Sequence, residues 1–199
     1  MRSVTVLFYK PFQVLCQFSP EGDKKTLAHY LDVPDVYPAG RLDYDSEGLV
    51  LLTNDGALQH RLTDPRFGHP RTYWVQVEGT IDGMAAGQLA SGVVFGGKKT
   101  LPCLAEPIAE PILPPREPPV RFRKSIPTSW LSLTLREGRN RQVRHMTAAV
   151  GFPTLRLVRV GIGGLTLDGM KPGQWRSLMA SEIAALRQLT GANLSKGQR

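Results

Sequence analysis

Cysteine is scarce in this chain: two residues in 199, Cys16 and Cys103, far apart and with neither a Cys-x-x-Cys partner nor histidines nearby. A zinc site therefore has no ligand set to draw on, and a reducing, cytoplasmic setting fits such sparse thiols. Long apolar runs are missing as well. No stretch approaches the ~18 apolar residues of a membrane helix, and the opening MRSVTVLFYKPFQVL has no small-residue cleavage signature. Neither membrane insertion nor secretion is expected. No G-x-G-x-x-G or G-x-x-x-x-G-K-[ST] occurs, which argues against nucleotide-cofactor folds, and the absence of repeats and heptads excludes solenoids and coiled coils. Acids are few: 17 against 25 lysines and arginines, a formal charge of +8. Such a balance turns the search toward polyanionic partners, with a merely solvated basic surface as the alternative that motifs must decide.

What is present is a mixture of short strands and helices. A chain of this length can fill one large domain or two small lobes, and its 20 glycines and 16 prolines imply many turns. Apolar or alternating runs predict strands at Val4 to Tyr9, Gly48 to Thr53, Arg71 to Glu78, Trp130 to Arg136, Leu155 to Val160 and Trp175 to Leu178. Helical spacing predicts helices at Thr26 to Leu31, Ala57 to Leu62, Met84 to Ser91, Asn140 to Val150 and Ala180 to Leu189. Between 107 and 119 proline recurs too often for a central strand or a helix interior, so this stretch reads as a loop or linker. The sum is a strand-rich α+β fold.

Two constellations could carry chemistry. In Gly40-Arg41-Leu42-Asp43-Tyr44-Asp45-Ser46-Glu47-Gly48, three acids and an arginine crowd a loop ahead of a buried strand, a good place from which to present a carboxylate. An acidic surface turn or a cation loop would give the same composition, although the EF-hand pattern is not met. In Arg136-Glu137-Gly138-Arg139-Asn140-Arg141-Gln142-Val143-Arg144-His145, four arginines fall at a strand-to-helix junction. Arginine forks there can take phosphates, or hold a catalytic carboxylate ionised through a charge-assisted pair. Tyr73, within Arg71-Thr72-Tyr73-Trp74, is more ordinarily a core residue but could stack on a base or move a proton.

These segments, in this order, resemble the ribosomal pseudouridine synthases of the RsuA family. GRLDYDSEGLVLLT at 40–53 and EGRNRQVRHMTAAVGFPTLRLVR at 137–159 match its two long blocks. FYKPFQVLCQF at 8–18 and RKSIPTSWL at 123–131 resemble its RluE branch, which acts on large-subunit rRNA. The resemblance covers about 1–180. It implies the pseudouridine synthase catalytic fold, a mixed, mostly antiparallel sheet flanked by helices and loops with an active-site cleft between two lobes. It also implies no N-terminal S4-type module, with residues 181–199 left as a C-terminal helix and basic tail.

By the same resemblance Asp43 is the nucleophile, Tyr73 packs on the target uracil, and Arg144 pairs with Asp43, with Arg139 and Arg141 as other candidates for that pairing. Arg41 would occupy the flipped nucleotide's place or meet its backbone, and Lys10, Arg139, Arg141 and Arg156 would join it in holding RNA. Tyr44, Arg71 and His145 depart from the residues usual at their positions, which touches RNA contacts more than chemistry. The reaction conserves mass and oxidation state, so no cofactor is expected. The partner implied is 23S rRNA or a large-subunit assembly intermediate, met by a monomer. N-glycoside hydrolysis is the rival chemistry. A ribosome-assembly factor with no chemistry is the rival binding function.

Overall fold

The computed structural model describes residues 3–121, 123 and 125–191. The expected basic tail at 196–199 lies outside them. In chain order the first elements are β1 (Thr5–Lys10), β2 (Val14–Leu15), β3 (Lys25–Thr26), β4 (Tyr37–Pro38), β5 (Glu47–Thr53) and α1 (Gly56–Thr63). There follow β6 (Arg71–Glu78), α2 (Gly83–Ser91), β7 (Val94–Phe95), β8 (Lys98–Lys99), β9 (Leu104–Ile108), β10 (Thr128–Leu135) and α3 (Gln142–Ala149). The chain ends with β11 (Thr154–Ile162), β12 (Leu165–Thr166), β13 (Trp175–Ser177) and α4 (Ala180–Gly191). Two compact units result, 1–69 with 160–199 and 70–159.

In the first unit β1 lies between β13 and β5 and is antiparallel to both, with Val6 opposite Ser177 and Leu52, and Lys10 opposite Gly48. Every residue of β1 and of β5 is buried. Strands covered on both faces need continuous apolar runs, and Val-Leu-Phe-Tyr and Leu-Val-Leu-Leu supply them. The threonines at one end satisfy each other: Thr5 Oγ1 and Thr53 Oγ1 are 2.9 Å apart, and Thr53 also donates to the Val4 carbonyl. Leu58 and Leu62 of α1 and Leu186 of α4 join Leu7, Leu49 and Leu51 in one core. Asp55 caps α1, accepting from the Ala57 and Leu58 amides at 3.0 Å, and receives Arg187 Nη2 from α4 at 2.7 Å.

In the second unit β10 lies between β6 and β9, again antiparallel, with Tyr73 opposite Leu133 and Pro107 opposite Leu131. Alternation puts Tyr73, Val75 and Val77 on the same face as Leu131, Leu133 and Leu135. Ala85, Ala86 and Leu89 of α2 and Val143 and Met146 of α3 complete that core. β9 is the edge of this set. Pro107 and Ile108 therefore belong to a strand rather than to the loop expected from 107 onward, because an edge position tolerates a residue without a donor.

The other expected elements are present with ends displaced by a residue or two, except one. The helix expected over Thr26 to Leu31 is only a 3-10 turn, Leu27–His29, with His29 Nδ1 accepting from the Thr26 amide at 3.1 Å. Of its apolar residues only Leu27 and Leu31 are buried and Pro34 follows closely, too little apolar face to extend the turn.

Asp55 joins cap, helix and terminal helix, so its loss is measurable. Its carboxyl is held below the ordinary carboxylate range, first by the Leu58 amide and then by Arg187. Asp55→Ala should lower the urea-unfolding free energy by about 1–2 kcal/mol at pH 7. The unfolded chain takes up this proton first as pH falls, so the contribution is complete above about pH 4. The difference between wild type and variant should shrink below that pH.

Candidate active site

The acid-rich loop is built by its glycines and by what β5 leaves at its entrance. Gly40 and Gly48 adopt φ of +93° and +109°, conformations closed to most side chains, and bracket the turn. Inside it the Ser46 amide donates to the Asp43 carbonyl at 3.1 Å, and the Gln13 amide to the Tyr44 carbonyl at 2.9 Å. Leu42 is buried and anchors the loop, Arg41 points to solvent, and Asp43 and Asp45 are each half-buried. Glu47 is inside, 3% exposed, already part of β5. Of the three acids, then, only Asp43 and Asp45 stand where a substrate could reach them.

Beneath this loop sits Lys10. Its side chain is fully buried, and its ammonium donates to the Pro11 carbonyl at 2.9 Å and the Val14 carbonyl at 2.8 Å. Burial lowers its pKa to about 8, against the pull of Cys16, Glu47, Asp45 and Asp43, whose charges favour the protonated form. Lys10 is thus an internal countercharge to the carboxylate loop. The expectation that it holds RNA is corrected: a lysine at the end of β1 with no exposed surface, and with two of its donors given to backbone carbonyls, is turned inward.

The second unit, taken by itself, carries the tyrosine and the arginines. Tyr73 is half-buried, packed against the core of its unit from the face shared with Val75 and Leu133. Arg71, two residues earlier, is pushed below its ordinary pKa by burial, with Arg159 adding repulsion and Tyr73 opposing. Its guanidinium passes so close to Gly138 that a Cβ there would lie 2.9 Å from Nη1. Arg71, Tyr73 and Arg159 therefore form one group, of which sequence reasoning named only the tyrosine as functional. Arg71 and Arg159 could have been suspected from their place on apolar strands, where an arginine needs a specific use.

The arginine-rich segment folds around its own glutamine. Gln142 Oε1 accepts from the Arg139 amide at 2.9 Å, and Gln142 Nε2 donates to Glu137 Oε1 at 2.6 Å. Arg141, at φ +49° and exposed, starts α3, and Arg144 is half-buried one turn on. Arg139 lies over the Phe95 ring, its Cζ 3.8 Å from the centroid, and donates to the Phe95 and Lys98 carbonyls. Arg156, expected on the RNA side, is 7% exposed and donates to the Pro114 carbonyl at 2.9 Å. Its strand is buried along this stretch, so the side chain runs under the proline-rich segment instead.

Residues 4–149 match the family model described as RNA pseudouridylate synthase. The ribosomal large subunit pseudouridine synthase E of Vibrio parahaemolyticus is 53% identical over 173 residues, 87% of this chain and 73% of that protein. The ribosomal small subunit pseudouridine synthase A of Escherichia coli K12 is 36% identical over 181 residues, 89% of this chain and 71% of that one. A crystal structure of a pseudouridylate synthase superposes with a TM-score of 0.77 at 31% identity, covering 93% of this chain and 74% of its own.

Lys10 has a titration signature of its own. Folded, it releases its proton near pH 8, whereas the unfolded chain keeps that proton to about pH 10.4. Between those values the unfolded state binds more protons, so stability rises with pH. Urea unfolding from pH 7 to 10 should show wild type gaining on Lys10→Met, by up to about 3 kcal/mol over the window. Parallel curves would contradict a buried, perturbed ammonium.

Proposed function

The chain belongs to the RNA pseudouridylate synthase family and is an RNA pseudouridine synthase; from that premise we propose that it converts one uridine of 23S rRNA to pseudouridine with Asp43 as the nucleophile. The observation that carries the assignment is the loop itself: Asp43 is half-buried on a turn closed by its own carbonyl, braced from below by the Lys10 ammonium. Glu47 is withdrawn into β5, and the family resemblance at Gly-Arg-Leu-Asp favours Asp43 over Asp45. The choice of large-subunit rRNA rests on the greater likeness to a large-subunit enzyme, 53% identity against 36% for a small-subunit one.

The chemistry needs few parts. The N1–C1′ bond of the uridine breaks, the uracil turns while detached, and a C5–C1′ bond forms; the proton on C5 leaves and N1 takes one up. The target nucleotide must first leave its stack, at a cost of a few kcal/mol that cationic contacts to flanking phosphates offset. Asp43 supplies the carboxylate for the detachment. Tyr73 packs on the base and, with water, assists departure of the C5 proton. Arg144 serves as the cation of the reaction, and Arg41 and Arg141, both exposed, hold the RNA. The protein works as a monomer in the cytoplasm, without a cofactor.

The test uses 23S rRNA from cells lacking the enzyme, with pseudouridines mapped by carbodiimide-blocked primer extension. Wild type should give one new stop, Asp43→Asn none, and Asp45→Asn the same stop as wild type. Arg144→Ala should keep its fold by circular dichroism while its single-turnover rate falls at least about a hundredfold. A stop produced by Asp43→Asn would remove that residue from its role.

A further inference from the structure

The hairpin β7–β8 takes no part in the chemistry just described, and its construction gives it a use. Val94 pairs with Lys99 and Phe95 with Lys98 across a two-residue turn, Gly96-Gly97, whose φ values are +56° and +74°. Glycine takes such a pair of positive values at least cost. At its base the Thr100 amide donates to the Val93 carbonyl at 2.9 Å, and the Val93 amide to Thr100 Oγ1 at 3.0 Å. A Cβ on Gly92 would fall 2.5 Å from the Thr100 carbonyl oxygen, so the two stems run in contact.

Such a short ribbon is marginal alone, and here it is clamped from outside. Arg139 covers the Phe95 ring and donates to the carbonyls of Phe95 at 2.8 Å and Lys98 at 3.2 Å. His145 of α3 stacks on the same ring, centroids 5.1 Å apart and planes at 16°. Two of its donors go to backbone carbonyls, which gives Arg139 a positioning role in the hairpin.

What the clamp presents is charge. Lys98 and Lys99 are exposed, and neither has an acidic partner among the described residues. No acid occurs between Gly92 and Cys103. The one nearby, Glu137, is turned to the Leu101 amide and Gln142. Gly96 and Gly97 are both exposed, Gly97 with open space where a side chain would be and Gly96 nearly so.

The geometry points to a phosphate-gripping finger: β7–β8, held rigid by Arg139 and His145, binds the ribose-phosphate backbone of the rRNA through Lys98, Lys99 and the Gly96-Gly97 tip. Adjacent cations with backbone donors and no shaped side-chain pocket suit backbone contact, which positions RNA without reading its sequence. The inference rests on the proposed rRNA substrate.

The experiment measures binding of full-length wild type, Lys98→Ala/Lys99→Ala and Arg139→Lys to unmodified 23S rRNA at several salt concentrations. Single-turnover pseudouridine formation is followed on the same samples. The double variant should bind about tenfold more weakly near 0.15 M salt, its log–log salt slope smaller by about 1.5, as for two lost phosphate contacts. The loss should fall on the half-saturating RNA concentration rather than on the saturated rate. Arg139→Lys keeps the charge but not the fork, so it should lose a similar affinity with a slope nearer wild type. Unchanged affinity and slope in the double variant would overturn the finger. So would a defect seen only with ribosomal particles, since the finger would then meet protein. If wild type isomerises nothing, the proposed rRNA reaction fails, and the binding comparison still decides the finger.

Discussion

The first unit depends on a buried ammonium. Lys10 ends the fully covered β1 with two carbonyls as its ligands and the carboxylate loop as its electrostatic neighbour. Burying a charge is costly unless it is paired and hydrogen-bonded, and both conditions are met at once here. The arrangement ties three pieces of chain together: the Lys10-Pro11 turn, the strand entrance at Glu47, and the loop that presents Asp43. Removing the acids would take away the charges that favour the protonated ammonium against its burial.

The second unit solves the converse problem, crowded cations. Arg71 and Arg159 repel each other, and four arginines follow within nine residues, 136 to 144. The fold gives them different surroundings: Arg139 meets a ring and two carbonyls, Arg156 donates to the Pro114 carbonyl, and Arg141 is exposed. Arg139 is held by neutral backbone, which uses its donors and leaves its charge in place.

Much of the fold was legible because its strands are buried on both faces or alternate cleanly, and those patterns hold whatever the topology. The short helix at 26–31 was misjudged because two apolar residues at helical spacing suffice for one turn as well as for three. The acid loop was visible as a cluster, yet the residues themselves left three carboxylates open. Which of them is withdrawn depends on where β5 begins, a matter of a single residue at Glu47. Lys10 was misread for a physical reason: lysines usually carry their heads to water, and only the three-dimensional closure of the Lys10-Pro11 turn keeps this one in. The β7–β8 hairpin went unread although Gly96-Gly97 between short runs is a recognised signal; two-residue strands are too brief for periodicity to register.

The edge strand β9 is built against pairing with other chains. It spans only Leu104–Ile108, carries Glu106 and Pro107, and runs into a segment with further prolines at 111, 114, 115, 118 and 119. Leu101, Leu104 and Ile112 around it are more than half exposed. A longer, flatter strand with that apolar surface would recruit neighbouring chains edge to edge; a short one with a charge and a missing amide offers them no continuous ladder. The strand's own construction thereby discourages a second copy of the chain from adding to that edge.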